Sequence, residues 1–186
     1  MAKIKGNLIM MNVSGMLGKQ IVVKNRAGKQ YLSAPPTIDE NRPLTPNKAA
    51  WREKFKDFAA YGKYTGTIPD LKAAYKAAAK PGQTAYNVAF KDARYPPEVT
   101  GLSTQGYSGN PGDKIFVHAK DDFKVTAVKI SIYSASGELI EEGNAVDDGV
   151  LWMYAVANAN NIVKGSKIVA TAYDLPGNEG VKEIVL

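Results

Sequence analysis

Two consecutive prolines, Pro96 and Pro97, divide the chain into parts with different sequence patterns. Neither proline has a backbone N–H, and each disfavours helical backbone angles at the residue before it, so a helix arriving through Lys91 must end here. Apolar residues recur at helical spacing before Pro97 and alternate as in strands after it. We therefore expect two parts that are joined by a short, stiff spacer around residues 92–99.

The charge changes at the same place. Residues 1–96 contain 17 Lys and Arg residues against 6 Asp and Glu residues, a formal charge of +11, whereas residues 97–186 contain 7 against 12, a formal charge of −5. The net charge of +6 is thus the sum of a basic part and an acidic part. A basic surface favours an anionic partner, either nucleic acid or an acidic protein surface.

The composition disfavours most catalytic sites. The chain has no cysteine, which excludes disulfides and thiolate metal sites, and its one histidine, His118, has no second histidine beside which to act. We interpret His118 as a partly buried or surface imidazole. We predict no catalytic residue, no cofactor, no metal site and therefore no enzyme activity.

Acidic residues cluster in the C-terminal part at Asp121-Asp122, Glu141-Glu142 and Asp147-Asp148, with Asp113 and Asp174 in addition. Calcium takes 6–8 oxygen ligands, and carboxylates on loops are their usual source. None of these residues forms the spaced Asp-x-Asp-x-Asp-Gly pattern of a calcium loop. We interpret them as solvated turn residues that keep edge strands soluble, and a calcium site at one end of this part stays open as the alternative.

Residues 1–36 are predicted to form an extended β-hairpin arm. The strand segments Ile21–Val23 and Gln30–Leu32 lie on either side of the turn residues Lys24–Lys29, and Asn7–Val13 is the expected third strand. A ribbon of two or three strands is marginally stable alone. The arm therefore needs a surface to lie on, either in this chain or in a neighbour.

The basic residues of the arm are the candidate contact surface. They are Lys19, Lys24, Arg26 and Lys29, with Tyr31 nearby. A basic two-stranded ribbon is able to enter a DNA groove or to follow phosphates. Two other interpretations stay open: a solvated polar face, or an arm that docks on an acidic protein surface such as the C-terminal part of another copy.

Residues 37–95 are predicted to form a small three-helix bundle, preceded by an aperiodic linker over residues 34–43. The expected helices begin at Thr45-Pro46, Pro69 and Thr84, and they end near residues 64, 80 and 93. In the first helix, an apolar stripe recurs at spacings of three and four; its members are Trp51, Phe55, Phe58 and Gly62. We interpret this stripe as part of the core.

Residues 96–186 are predicted to form an antiparallel β-sandwich. Short apolar segments are separated by Gly, Asn and Asp, with about seven strands in about 90 residues. The expected strands are Glu98–Gln105, Asp113–Ala119, Val125–Tyr133, Leu139–Glu142, Leu151–Val156, Lys167–Tyr173 and Val181–Leu186.

The end of this part carries a family resemblance. A strand that ends in Ala172-Tyr-Asp174, a turn that contains Gly177-Asn178 and a final strand resemble bacterial and phage immunoglobulin-like, or fibronectin-type-III-like, domains. The segment Trp152–Tyr154 and the hairpin at Ser136-Gly137 are also similar. The resemblance covers residues 97–186 and implies that Asp174 and Asn178 brace the last hairpin.

The resemblance has two limits. The chain lacks the cysteine pair of disulfide-bonded antibody-type domains, and the resemblance implies no catalytic residues. The N-terminal half is only loosely similar to uncharacterised bacterial and prophage proteins that have a glycine-spaced hairpin followed by a helix beginning at Thr-Pro. That likeness implies no activity.

Together these features predict an α+β fold in two parts: a β-hairpin arm with a small three-helix bundle, followed by an immunoglobulin-like antiparallel sandwich. The projecting arm and the opposite charges predict a non-enzymatic structural or interaction protein in an oligomeric assembly, whose partners are copies of itself or other subunits. By fold analogy we expect a phage virion component, either capsid-associated, a decoration protein or a tail protein.

Two other functions stay open. One is a nucleic-acid-binding protein that uses the basic arm and helices, and the other is a carbohydrate-binding sandwich that uses Tyr107, Trp152 and Tyr154 as exposed aromatics. The apolar run Leu8–Met11 is too short for a secretion signal, and no run is long enough to cross a bilayer. We therefore expect cytoplasmic synthesis without a signal peptide, no membrane partner, and the virion as the final location.

Overall fold

The structure, a computed structural model, describes residues 2–4, 13–26, 28–37, 43 and 45–186. Within these residues the chain forms three α-helices and three four-stranded antiparallel sheets. The fold is therefore mixed α+β with a strand-rich C-terminal part, as the sequence predicts. None of the helices in these residues is long and apolar enough to cross a membrane.

The N-terminal sheet contains the predicted hairpin. Its strands are β1 (Ala2–Ile4), β2 (Gly15–Leu17), β3 (Ile21–Arg26) and β4 (Lys29–Ser33), in the order β1-β4-β3-β2. Arg26 pairs with Lys29, so the hairpin loop has two residues where the sequence suggests a six-residue turn. Gly28 has a φ of 72°, a left-handed conformation that glycine adopts at little cost and that two-residue hairpin loops require. Most of the expected third strand, Asn7–Val13, lies outside the described residues.

Three helices follow, each beginning where the sequence predicts. They are α1 (Pro46–Thr65), α2 (Pro69–Ala77) and α3 (Ala85–Arg94). The second ends three residues before the predicted end at Lys80. At α3, the Thr84 hydroxyl accepts a hydrogen bond from the Asn87 backbone N–H at 3.3 Å, and the Asn87 Oδ1 accepts one from the Thr84 N–H at 3.0 Å. These two bonds satisfy N–H groups that have no partner inside the helix.

The C-terminal part contains two four-stranded sheets. Its strands are β5 (Glu98–Gly106), β6 (Lys114–Lys120), β7 (Val125–Tyr133), β8 (Leu139–Asn144), β9 (Val146–Asp147), β10 (Trp152–Ala155), β11 (Lys167–Asp174) and β12 (Glu179–Val185). One sheet has the order β5-β6-β10-β9, and the other has the order β12-β11-β7-β8. The sequence predicts seven of these strands; the eighth, the two-residue β9, is not among the predicted ones.

The two sheets bury their apolar faces against each other. Residues from both sheets form one core cluster, in which Ile115 and Val117 of β6 meet Ile130 and Ile132 of β7 and Ile168 of β11. These five side chains are fully buried, which confirms the alternation that the sequence predicts for β6 and β7. The result is a β-sandwich-like arrangement.

The helices contact the sandwich directly. The ring of Tyr75 in α2 lies 4.3 Å, centroid to centroid, from that of Phe123 in the loop between β6 and β7. The Asn178 side-chain amide donates to the backbone carbonyls of Asp92 at 3.4 Å and Ala93 at 3.3 Å. The last turn of α3 is thereby joined to the turn between β11 and β12.

Candidate functional site

Four of the five predicted contact residues lie on one face of the hairpin. Lys24 pairs with Tyr31 and Arg26 pairs with Lys29 across β3 and β4. Paired residues point to the same side of an antiparallel sheet, and so do residues two apart on one strand. Lys24, Arg26 and Tyr31 line a cleft of about 500 Å³. We call Lys24, Arg26, Lys29 and Tyr31 the basic face.

Lys19 is the fifth predicted residue, and the structure places it apart from the basic face. It lies in the turn between β2 and β3, is exposed, and has a φ of 58°. The left-handed region is uncommon for a residue with a side chain. Lys19 therefore adds positive charge at the opposite end of the β3 strand from Arg26.

The opposite face of the same sheet carries apolar residues beside the polar pair Asn25–Gln30. Leu17 pairs with Ile21, and Val23 pairs with Leu32. Val23 is buried, whereas Leu17 and Ile21 are exposed. The arm thus concentrates charge on one side, whereas Leu17 and Ile21 expose apolar surface on the other.

The apolar stripe of α1 is only half covered. Gly62 is buried and Phe58 is half-buried, but Trp51 is 55% exposed and Phe55 is 57% exposed. The prediction that the stripe is core is therefore wrong for its first half. The physical reason is how α3 packs on α1. Tyr86 lies against Gly62, and Phe90 lies 5.9 Å from Phe58, whereas the contacts of α3 with Trp51 and Phe55 leave more than half of each of these two side chains exposed.

Contacts around this exposed face hold it in place without covering it. The Phe55 ring lies 5.0 Å from that of Phe90. The guanidinium of Arg94 lies 5.5 Å from the centre of the Trp51 ring and 5.0 Å from that of Tyr95. Cations over aromatic rings are attracted by the ring quadrupole. We call Trp51 and Phe55 the aromatic face.

A second basic region lies beside the helices. A cleft of about 740 Å³ lies here, and its lining includes Lys72 and Lys76 of α2 and Lys80 just after that helix. Gly62 and Thr65 of α1 also line it. Among the residues that the structure describes, no Asp or Glu lines this cleft. The cleft is therefore electropositive, like the basic face of the arm.

Three carboxylates meet where α3 packs against the sandwich. They belong to Asp92 of α3, Asp121 of the loop after β6 and Asp174 at the end of β11, and one oxygen of each lies within 4.8 Å of the others. Asp92 is 1% exposed and Asp174 is 4% exposed. We call these residues the carboxylate cluster.

Most oxygens of the cluster have a donor. The Tyr75 hydroxyl donates to Asp92 Oδ2 at 2.6 Å, and the backbone N–H groups of Phe123 and Lys124 donate to Asp121 Oδ2 at 3.0 and 2.9 Å. Among the described residues, Asp92 Oδ1 and Asp121 Oδ1 are buried without a hydrogen-bond partner. The pKa of Asp92 is raised to about 7, first by burial and then by the neighbouring Asp121 and Asp174 carboxylates, against the lowering effect of the Tyr75 hydrogen bond.

Asp174 is the fully satisfied member of the cluster. Its Oδ1 accepts from the backbone N–H groups of Gly177 at 2.8 Å and Asn178 at 2.6 Å, and its Oδ2 accepts from the Asn178 side chain at 2.7 Å. This arrangement confirms the expectation that Asp174 and Asn178 brace the last hairpin. It also holds the Asp174 carboxylate towards α3.

Sequence reasoning found two of the three cluster residues. Asp121 and Asp174 are among the acidic residues considered for a calcium site, whereas Asp92 is not. The helical spacing could have identified Asp92 as a buried residue. Asp92 follows Ala89 by three residues on α3, and both lie on the buried side of that helix. A charged residue on the buried face of a short helix needs a partner.

The other acidic residues lie outside the cluster. Asp113 accepts from the Ser108 backbone N–H at 2.7 Å within its own turn, and such bonds lower its pKa. Asp122 pairs with Lys91 at 2.8 Å, and Glu142 pairs with Lys129 at 2.8 Å. These contacts fit the interpretation of Asp113, Asp122 and Glu142 as turn and surface groups. The interpretation is wrong for Glu141 and Asp174, which are buried; Glu141 accepts from the backbone N–H groups of Ala157 and Asn158, so its carboxylate holds a loop instead of facing solvent.

The remaining candidate residues lie in the sandwich. His118 is exposed on β6 and contacts the Thr100 hydroxyl. Tyr107 and Tyr154 are buried in the core, and Trp152 packs against it. The three aromatics considered for carbohydrate binding therefore do not form an exposed platform.

Comparisons with known proteins identify no family. No protein-family model and no curated protein matches the sequence. The solved structures that match include the crystal structure of an engineered protein, with 14% sequence identity and a TM-score of 0.32. The match covers 58% of this chain and 30% of that protein, and a likeness of this size carries no argument about fold or function.

Proposed function

We propose that this chain is a non-enzymatic structural protein that assembles with further copies of itself through its N-terminal half. The observation that carries the proposal is the aromatic face, since Trp51 and Phe55 are each more than half exposed. Large exposed apolar surfaces typically mark interaction sites, because removing them from water drives association. The exposed Leu17 and Ile21 extend this surface type to the arm.

The choice of a second copy as the partner rests on charge. The half that carries the aromatic face has a formal charge of +11, and the sandwich has a formal charge of −5. Docking of the N-terminal half of one copy on the sandwich of another brings opposite charges together. Such charge complementarity steers the encounter of the two copies and fixes their relative register. The contact is heterologous, so it builds rings or open chains of subunits.

The sandwich fits this role as the module that receives the arm. Its sheet orders, β5-β6-β10-β9 and β12-β11-β7-β8, follow the pattern in which immunoglobulin-type strands A, B, E and D face strands G, F and C. We infer an immunoglobulin-like topology on this basis. The specific assembly that we expect is a phage virion, in which the protein is a capsid-associated, decoration or tail component; that expectation rests on fold analogy.

Self-association of the purified chain tests the proposal. In light scattering coupled to size exclusion, the wild type should form oligomers that dissociate as salt is raised, and a Trp51→Ser/Phe55→Ser double variant should shift towards the monomer. Tyr64→Ser is the control, because Tyr64 is 59% exposed and lies on the opposite side of α1 from the aromatic face. A wild type that stays monomeric at every concentration, or an equal shift in the control, would overturn the proposal.

Nucleic-acid binding is the second candidate, and the basic face favours it. Three cations and an aromatic ring on one side of a β-hairpin suit a phosphate backbone, and such binding weakens steeply with salt. Lys24→Gln/Arg26→Gln should then reduce both the affinity for a duplex and the salt dependence, measured by fluorescence anisotropy. The exposed Lys164 supplies the control variant Lys164→Gln. Equal affinities for all three proteins would exclude the basic face as a nucleic-acid site.

A further inference from the structure

We propose that Asp92, Asp121 and Asp174 bind a divalent cation, with calcium as the best-fitting ion, where α3 meets the sandwich. The three residues come from three separate elements: α3, the loop after β6, and the end of β11. The packing of helix on sandwich brings their carboxylates together, and the site is independent of the assembly contact proposed above. Calcium prefers carboxylate and carbonyl oxygens as ligands.

The spacing of the oxygens fits calcium. Calcium–oxygen distances are about 2.3–2.6 Å, so two oxygens on opposite sides of one ion are separated by up to about 4.6–5.2 Å. One oxygen of each of the three carboxylates lies within 4.8 Å of the others. Three ligands can therefore reach one ion without rearrangement of the backbone, and water can complete the coordination.

The unpartnered oxygens point to a ligand independently of the clustering. Asp92 is 1% exposed, and its Oδ1 has no hydrogen-bond partner among the described residues; the same holds for the buried Asp121 Oδ1. A buried acceptor without a donor is costly, and a buried carboxylate more so. Each of these two residues thus offers one free oxygen, while its other oxygen is held by protein donors.

Neighbouring cations do not neutralise the cluster. Within the described part of the chain, no salt bridge reaches Asp92, Asp121 or Asp174, and the nearby Lys91 pairs with Asp122 instead. Buried charges in proteins are paired or coordinate metals. A divalent cation would satisfy both free oxygens and offset the charge of the three carboxylates.

The position of the site assigns the ion a structural role. Asp92 belongs to the helical part, whereas Asp121 and Asp174 belong to the sandwich, so one ion would tie the two parts together. The ion would reinforce the hydrogen bonds from Asn178 to the carbonyls of Asp92 and Ala93. Because the unfolded chain does not hold the three carboxylates together, binding would stabilise the folded protein.

Thermal unfolding of the full chain, treated with a chelator and then supplied with calcium chloride, tests the proposal. Calcium should raise the melting temperature of the wild type, and isothermal titration calorimetry should show one site that magnesium occupies more weakly. Asp92→Asn should lose both the temperature rise and the heat of binding. Asp122→Asn is the matched control, because Asp122 lies in the same loop as Asp121 but pairs with Lys91. This variant should keep both the temperature rise and the heat of binding.

The outcomes separate the alternatives. No effect of calcium on the wild type would mean that Asp92 and Asp121 share protons instead of an ion, and the proposal would be wrong. An equal effect on the wild type and Asp92→Asn would place the ion elsewhere. Should Asp92→Asn fail to fold, Asp121→Asn serves the same purpose, because an asparagine Oδ1 can still accept the bonds from the Phe123 and Lys124 N–H groups.

Discussion

At the scale of single residues, Gly180 allows β12 to approach the backbone of Pro97 closely. A Cβ at this position would lie 1.8 Å from the Pro97 carbonyl oxygen and 2.7 Å from its carbon. Both atoms are backbone and cannot turn aside, so Gly180→Ala should lower the free energy of unfolding by about 1–3 kcal/mol, as overpacking does. Urea unfolding measures the change. The exposed Val181 supplies the control Val181→Ala, and an equal loss there would show that β12 does not depend on this close approach.

Also at this scale, the contacts that were predicted correctly from the sequence join residues that are close together in the chain. Asp174 and Asn178 are four residues apart, and a turn motif is enough to predict their bonds. The carboxylate cluster is different, because Asp92 meets Asp121 and Asp174 only once α3 has packed on the sandwich. This part of the candidate site depends on tertiary packing, which a local sequence pattern does not predict.

At the scale of helices and strands, the two predicted threonine N-caps differ in a testable way. Thr84 makes the capping-box bonds with Asn87, whereas Thr45 makes no side-chain cap bond. Thr84→Ala should therefore reduce the free energy of unfolding by about 1 kcal/mol, the usual cost of losing a cap. Thr45→Ala, measured in the same denaturant titration, should have a much smaller effect. Equal losses would mean that residue type, and not the observed bond, sets the cost.

The apolar stripe of α1 shows what periodicity does and does not predict. The spacing correctly identified one apolar side of the helix, from Trp51 to Gly62. It did not identify what covers that side, because coverage depends on the length and placement of α3. The uncovered Trp51 and Phe55 are the main evidence for an interaction surface. By contrast, the alternation of buried residues in β6 and β7 was predicted correctly, because the apolar face of each strand is covered by the facing sheet.

At the scale of the whole molecule, the prolines mark a change of pattern but not a gap between the parts. Pro97 is buried, Tyr75 packs on Phe123, and Lys91 pairs with Asp122 across the boundary. The division into an arm at 1–36, helices at 37–95 and a sandwich at 96–186 stays a prediction about folding units. Contacts of this kind couple the stability of the parts they join.

We therefore expect the helices and the sandwich to unfold together. Helical circular dichroism reports on the first part, because all three helices of the described chain lie there, and Trp152 fluorescence in a Trp51→Phe background reports on the second. The two midpoints in urea should coincide. Phe123→Ala removes the ring that packs on Tyr75 and should separate them, with the helical signal lost first. Phe116→Ala, at a half-buried position within β6, should shift both midpoints equally. Two transitions in the parent protein would instead show that the parts fold independently and that the prolines join two separate domains.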